Sequence, residues 1–339
     1  MNKKAYIIIL NWNGWKDTIE CLESVFQNLY SDYRVVLCDN ASTDKSLDKI
    51  KQWADGTLKS HVADDVRIDV HVNLPVEKPI RYIEYNREQA ESGGFGMDEP
   101  PLILIQTGDN LGFAGGNNVG IRYVLARDGF EYIWLLNNDT VIKSDALIYL
   151  IQKINENPSI GMCGSTLLYY HEPDKIQALG GATYNEWLGI SKPLGAHINI
   201  NSKIDYKLAE ETKIDYIVGA SMLVKKQFIK DIGLLCEEYF LYYEEIDWAI
   251  RAHKHYKLAY ASASIVYHKD GASTGGNSKD AKKSMIADYY GVKNKLVVTR
   301  KFFYYALPVV YIGMLVAIVN RIRRKQWDRV KMIVRILCS

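Results

Sequence analysis

The sequence predicts an α/β protein: a doubly wound, mostly parallel sheet, a second half of mixed strands, and a hydrophobic helical tail. Three observations carry that prediction. Short apolar runs at 5–10, 33–38, 102–107 and 133–136 each close on small polar residues, as buried strands do at the edge of their sheet. Segments of helical period alternate with them in the first half. The C-terminal end changes composition, with basic clusters around an uncharged stretch at 302–319.

Taken in order, the run at 5–10 is a strand, and Asn11, Trp12, Asn13 and Gly14 form a loop of turn chemistry. Ile19, Leu22, Val25, Phe26 and Leu29 recur at helical spacing behind Asp17, which reads as an N-cap for a helix over 17–28. A second strand, 33–38, ends at Asp39, Asn40, Ala41, Ser42, Thr43 and Asp44, and another helix begins at Ser46. Residues 56–101 break the rhythm with Pro75, Pro79, Gly93, Gly94 and Gly96. They are expected to be an insertion bearing edge strands at 66–72 and 80–85. The sheet resumes at 102–107. A glycine-rich turn, 108–118, follows, and a helix is expected over 119–127, its N-terminus favouring an anion.

The run Ile133, Trp134, Leu135, Leu136 meets Asn137, Asn138 and Asp139. Ligands of open α/β sheets bind outside such strand ends. There a carboxylate can hold a hard divalent cation, although Asn and Asp are equally ordinary turn residues. Later strands are expected at 160–168, 214–224 and 258–268, a helix at 144–155, and a further helix opening at Glu244, Glu245 and Asp247. Gly271 to Gly276 read as a loop able to order over a ligand.

Totals set limits. Over 339 residues, hydrophobic residues at 48% and charged residues at 24% exclude disordered and collagen-like classes. A net charge of +2 gives no case for nucleic-acid binding, although the basic excess gathers near the C-terminus. The 24 tyrosines cluster after residue 160, which suits a surface that stacks on sugar rings. Five scattered cysteines without a Cys-x-x-Cys pair point to reduced thiols, a cytosolic compartment and no zinc site. The opening apolar run is too short for a secretory core.

Several motifs point the same way: Asn11 to Gly14 after the first strand, Asp39 to Asp44 after the second, Asn110 to Asn118, Asn137–Asn138–Asp139, Tyr242 to Trp248, and His268. In this order they resemble glycosyltransferase family 2, especially the rhamnosyltransferase-like branch that builds bacterial surface polysaccharides. The resemblance covers roughly 5–275 and leaves out 56–101 and the tail. It implies a GT-A fold over 1–290, with its mixed half facing the acceptor; the basic and hydrophobic composition of 291–339 by itself marks a membrane-associating or oligomerising tail. It also implies inverting transfer from a dTDP- or UDP-linked sugar, rhamnose among them, to a saccharide or lipid-linked saccharide. The enzyme would sit at the cytoplasmic face of the cell membrane.

By position, the resemblance assigns base and ribose contacts to Asn11, Asp39 and Ser42, with Asn110, Gly112 and Asn117 along the nucleotide. Asn138 would contact ribose, and Asp139 and His268 would hold Mg²⁺ or Mn²⁺. Only the last acid of the family's Asp-x-Asp survives here. Glu245 falls at the general-base position, where Asp is commoner, with Glu244 and Asp247 as substitutes. Two other classes fit less well. A sugar-1-phosphate nucleotidyltransferase would need a glycine-rich loop with Arg and Lys where Asn11 to Gly14 stand. A non-catalytic carbohydrate-binding protein has no use for Asp139, Glu245 and His268 together.

In the tail, eighteen uncharged residues (302–319) lie between basic clusters, at the lower limit for a membrane span. Basic residues on both sides favour a segment on the headgroup surface through 302–325 over a one-way span, with a hairpin used for homo-oligomerisation as the alternative.

Overall fold

The computed structural model describes residues 3–58, 75–96, 99–269 and 284–338. The expected strand at 66–72 and the glycine loop at 271–276 lie outside the described residues.

The chain runs β1 (Lys4–Asn11), α1 (Trp15–Val25), β2 (Tyr33–Asp39), α2 (Ser46–Ala54), β3 (Tyr82–Asn86), α3 (Arg87–Glu91), β4 (Leu102–Gln106), α4 (Gly112–Leu125) and β5 (Phe130–Asn137). It continues with β6 (Thr140–Ile142), α5 (Ala146–Asn155), β7 (Ile160–Tyr169), β8 (Ile176–Leu179), β9 (Gly181–Asn185), β10 (Ile190–Pro193), α6 (Tyr206–Glu211), β11 (Tyr216–Ile217) and β12 (Ser221–Lys225). Last come α7 (Lys226–Ile232), α8 (Glu244–Ala252), β13 (Lys257–His268), α9 (Met285–Phe302), α10 (Leu307–Arg323) and α11 (Trp327–Cys338). Nine strands order as β3-β4-β2-β1-β5-β12-β7-β13-β6, and β8 also pairs with β7. The first five are mutually parallel, β12 runs antiparallel between β5 and β7, and β13 is parallel to β7. A separate sheet, β10-β9-β11, completes the mixed half.

Alternation along β1 sends Ala5, Ile7 and Ile9 to one core and Tyr6 and Ile8 to the other. The first core is covered by α1, α2 and α5, and the second by α3, α4, α7 and α8. Register aligns the carboxyl ends: Asn11 lies opposite Asp39, and Leu10 opposite Asn137. The polar residues that close the strands therefore share one edge. His268 lies opposite Thr140 across the β13–β6 ladder, which brings the end of a strand from the second half beside Asp139.

Four expectations are corrected. Helix α1 begins at Trp15, before Asp17, whose carboxylate instead pairs with Lys269 at 2.5 Å. The span expected as one strand over 214–224 is broken between β11 and β12, where 218–220 turn alongside the end of β5. In the tail, the single apolar segment expected at 302–319 is divided by a 3₁₀ turn, Tyr304–Ala306, which joins α9 to α10.

The fourth concerns the glycine-rich stretch, of which 112–118 form the first half of α4 rather than a turn before it. A Cβ at Gly116 would lie 2.4 Å from Leu10 Cδ1, and one at Gly120 would lie 2.8 Å from Ile8 Cγ2. The missing side chains let α4 lie directly on β1. Gly112 has φ +68°, and a Cβ there would meet the Phe240 carbonyl oxygen at 2.1 Å. Gly112→Ala combines left-handed strain with that clash and should destabilise the fold by about 2 kcal/mol or more, read by urea unfolding.

Candidate active site

The carboxyl edge begins with a closed polar network. Asn11 is fully buried and donates from Nδ2 to Asp39 Oδ1 at 2.6 Å and to Ser42 Oγ at 3.0 Å. The Ser42 amide donates to Asp39 Oδ2 at 3.0 Å. The structure thus brings Asn11, Asp39 and Ser42 together. Sequence reasoning missed Thr18, whose hydroxyl donates to Asn11 Oδ1 at 2.7 Å and accepts from Asn138 Nδ2 at 3.0 Å. Thr18 therefore joins the Asn11–Asp39 end to the loop after β5. Its signal was faint: a polar residue on the inward face of an apolar helix.

The second cluster centres on Asn40. It donates from Nδ2 to Asn110 Oδ1 at 3.0 Å and to the Gly112 carbonyl at 3.1 Å, and its Oδ1 accepts from the Leu111 amide at 3.1 Å. Asn110 and Gly112 are thereby fastened beside β2. Asn117 stands apart. Its amide donates back to the Phe113 carbonyl of its own helix at 2.9 Å.

Asp139 is 2% exposed, and its Oδ1 lies 3.2 Å from His268 Nε2. Burial alone would raise its carboxyl. The His268 imidazole and Lys269 outweigh that and hold it below the ordinary value, so it stays ionised. Gln177 Oε1 lies 2.9 Å from His268 Nδ1 and can accept a hydrogen bond from Nδ1–H; with that proton engaged, loss of the Nε2 proton on metal binding would leave the Nε2 lone pair directed to the same side as Asp139. Two adjacent ligands on an octahedral ion with bonds of about 2.1 Å stand about 3 Å apart, so this donor pair fits a hard divalent cation. Asn137 and Asn138 add no carboxylate, and no group of three or more His, Cys, Asp or Glu forms a metal cluster among the described residues.

The three acids of α8 separate into distinct environments. Asp247 is fully buried, with Oδ1 on Arg251 Nε at 2.6 Å and Oδ2 on Lys301 Nζ at 2.6 Å. Both oxygens are held by cations, so Asp247 ties α8 to α9 and is not placed as a base, a correction to the sequence reading. Glu244 is buried, and burial with the neighbouring Glu245 charge pushes its carboxyl well up. Glu245 is half-buried and is also raised by burial, with the Gly219 amide opposing. A Cβ at Gly219 would lie 2.8 Å from Glu245 Oε1, so the glycine makes room for the carboxylate. The adjacent Ala220 carbonyl accepts from the Asn137 amide at 3.1 Å, which brings this segment against the end of β5. Preceding α8, Tyr242 and Tyr243 both have positive φ, and Asn294 of α9 donates to the carbonyls of Leu241 and Tyr242 at 2.8 and 3.0 Å.

The parallel strand ends, the Asn11–Asp39 network and the Asp139 loop belong to a GT-A fold. The profile of the family described as Glycosyl transferase family 2 matches residues 6–67 and 84–233, well over half of the chain. The chain belongs to that family. Similarity extends to the low-salt glycan biosynthesis hexosyltransferase Agl10 of Haloferax volcanii, 28% identical over 153 residues, which are 45% of this chain and 47% of that protein. The chain thus spans about half the length of that relative. Among solved structures, GalNAc-T7 with UDP, GalNAc and Mn²⁺ matches with a TM-score of 0.55 at 13% identity, over 88% of this chain and 48% of that one. The mannosyltransferase PcManGT from Pyrobaculum calidifontis, in complex with GDP-Man and Mn²⁺, matches with a TM-score of 0.51 at 11% identity, over 99% and 86%.

Thr18→Val removes the donor to Asn11 and the acceptor for Asn138, stranding two buried polar groups. It should cost roughly 1–3 kcal/mol of unfolding free energy in urea, and Thr18→Ser should restore most of it.

Proposed function

We propose that this chain transfers a sugar, with inversion, from a UDP- or dTDP-linked donor to a saccharide or lipid-linked saccharide acceptor in surface-polysaccharide synthesis. The observation that carries the proposal is the ionised, buried Asp139 facing His268 Nε2 at 3.2 Å on the carboxyl edge of the parallel sheet. The names of the relatives support the reading, since one is a hexosyltransferase of glycan biosynthesis and two were solved with nucleotides or nucleotide sugars and Mn²⁺. Rhamnose is the sugar of the family branch that the motifs resemble.

Asn11, Asp39 and Ser42 take the base and ribose, with hydrogen-bonding groups already fixed by one another. Asn138 reaches toward ribose from the loop after β5, and Asn110 with Gly112 borders the nucleotide. Asp139 and His268 would hold Mg²⁺ or Mn²⁺, with Gln177 fixing the imidazole. Such an ion, when bound, stabilises the negative charge developing on the diphosphate leaving group.

The acceptor hydroxyl oxygen forms the new bond to the anomeric carbon as the carbon–phosphate oxygen bond breaks on the opposite face. The hydroxyl proton passes to Glu245. A carboxyl raised by burial is a stronger base than an ordinary glutamate, provided it is deprotonated at working pH. Glu244, buried deeper and raised further, stays neutral more readily and leaves Glu245 to take the charge. The apolar helix at the C-terminus supports attachment to the inner face of the cell membrane, where a lipid-linked acceptor would lie.

Metal-dependent hydrolysis of UDP-, dTDP- and GDP-sugars identifies the donor, and transfer is then measured against pH. Transfer should fall as pH drops through a value above the ordinary glutamate range, because the base must be ionised. Glu245→Gln should retain donor affinity, lose that acid limb and slow transfer by about 10²–10⁴-fold. Unchanged turnover would remove Glu245 from the base role.

A further inference from the structure

The span Tyr304–Arg323 is the one helical segment among the described residues long and apolar enough to cross a membrane, yet its surroundings do not suit a span. Val310 and Met314 of α10 pack into a small core with Leu296 of α9 and Ile333 and Ile336 of α11. Asp288 of α9 binds Arg321 of α10 through both oxygens, at 2.6 and 2.7 Å, and Arg329 of α11 at 2.7 Å. Helix α9 carries Lys293, Lys295, Arg300 and Lys301, and α11 carries Asp328, Arg329, Lys331 and Arg335. Carrying α10 through a bilayer would drag those charges into hydrocarbon or break the bundle.

The outer side of α10 is different. Ile312, Leu315, Val316, Val319 and Ile322 are exposed at helical spacing, a stripe along one face. Arg323, Arg324 and Lys325 are exposed at its far end. At its near end Tyr304 is 73% exposed, and the Tyr305 ring lies 5.2 Å from Trp187 on the β9–β10 hairpin. Leu188 and Ile190 beside Trp187 are exposed too, and Lys192 follows on β10. Two elements far apart in sequence therefore present one surface: an apolar stripe, an aromatic cluster and basic residues. Trp and Tyr sit preferentially at headgroup level, and lysine and arginine complement anionic headgroups.

We propose that α10 and the β9–β10 hairpin form a single docking surface for the face of an anionic bilayer, so the chain lies on the membrane and does not cross it. The inference rests on the membrane attachment proposed above and assigns its geometry. The hairpin leads back to the site: Tyr243, which precedes Glu244, donates from its hydroxyl to the Gly189 carbonyl at 3.1 Å, and its ring meets Tyr184, which in turn meets Phe303. The base helix is thus fastened to the hairpin and, through Phe303, to the turn that leads into α10, and an acceptor anchored in that bilayer would be presented at one fixed height.

Co-sedimentation of the full chain with vesicles of phosphatidylcholine, with and without phosphatidylglycerol, tests this. The wild type should pellet with the anionic vesicles, weaken in high salt, and be released by alkaline carbonate. Trp187→Ser with Ile190→Ser, and separately Ile312→Asp with Val316→Asp, should each lower partitioning about tenfold or more with unchanged thermal unfolding of the chain. Loss with the α10 pair but not the hairpin pair would overturn the joined surface while leaving tail attachment standing. Retention after carbonate would overturn the monotopic geometry. A wild type that ignores all vesicles, and whose sedimentation-velocity dimer the same variants dissociate, would give the face to a second copy of the chain and end the membrane reading altogether. Transfer to a water-soluble acceptor, measured in parallel, keeps these outcomes separate from failure of the proposed activity.

Discussion

A carboxylate removed almost wholly from water has to be repaid, and Asp139 sets that condition for the site. Left alone at the end of β5 it would take up a proton. Its ionised form is sustained by His268, the last residue of β13, and Lys269 just after it, and the Lys269 amide also donates to the Asp139 carbonyl at 3.0 Å. Lys269 is in turn balanced by Asp17 and Glu20 of α1, each at 2.5 Å, and the hydroxyl of Tyr170 donates to Glu20. One buried charge thereby links the end of β13, the loop after β5 and the charged face of α1. A single misplaced partner would leave a buried ion exposed to its full desolvation cost.

The same economy of polar groups ties the site to the rest of the chain. The relay Asn138–Thr18–Asn11–Asp39–Ser42 runs from the Asp139 loop to the end of β2 without a break. On the other side, Asn294 and Lys301 of α9 grip the segment around α8, one through the carbonyls before it and one through Asp247. Two consecutive tyrosines in left-handed backbone persist there because the surrounding contacts over-determine them. The C-terminal helices are therefore part of what positions Glu245, as well as a surface of their own.

Much of this was legible in the sequence because it depends on local pattern. Apolar runs that end in Asn or Asp gave β1, β2 and β5 and the edge they share, and period-2 alternation explains both cores. The boundaries that failed depend on distant partners. Asp17 resembles a helix cap until Lys269 claims it across some 250 positions. The glycines of 108–118 resemble a turn until Leu10 and the Phe240 carbonyl demand a thin helix from Gly112 onward. Asp247 looks as reactive as Glu245 in a row of acids, and only Arg251 and Lys301 show that its oxygens are spent. Thr18 carries no motif, and its role exists only in three dimensions.

Asp139 and His268 are proposed to hold a divalent cation together, beside a nucleoside diphosphate. Titration calorimetry of UDP and dTDP into the full chain, with Mn²⁺ and with the metal removed by chelation, tests it most directly. Diphosphate binding should strengthen at least tenfold with Mn²⁺, and Asp139→Asn and His268→Ala should each lose that strengthening while keeping the metal-free affinity. Mn²⁺-dependent binding that survives both substitutions would contradict it.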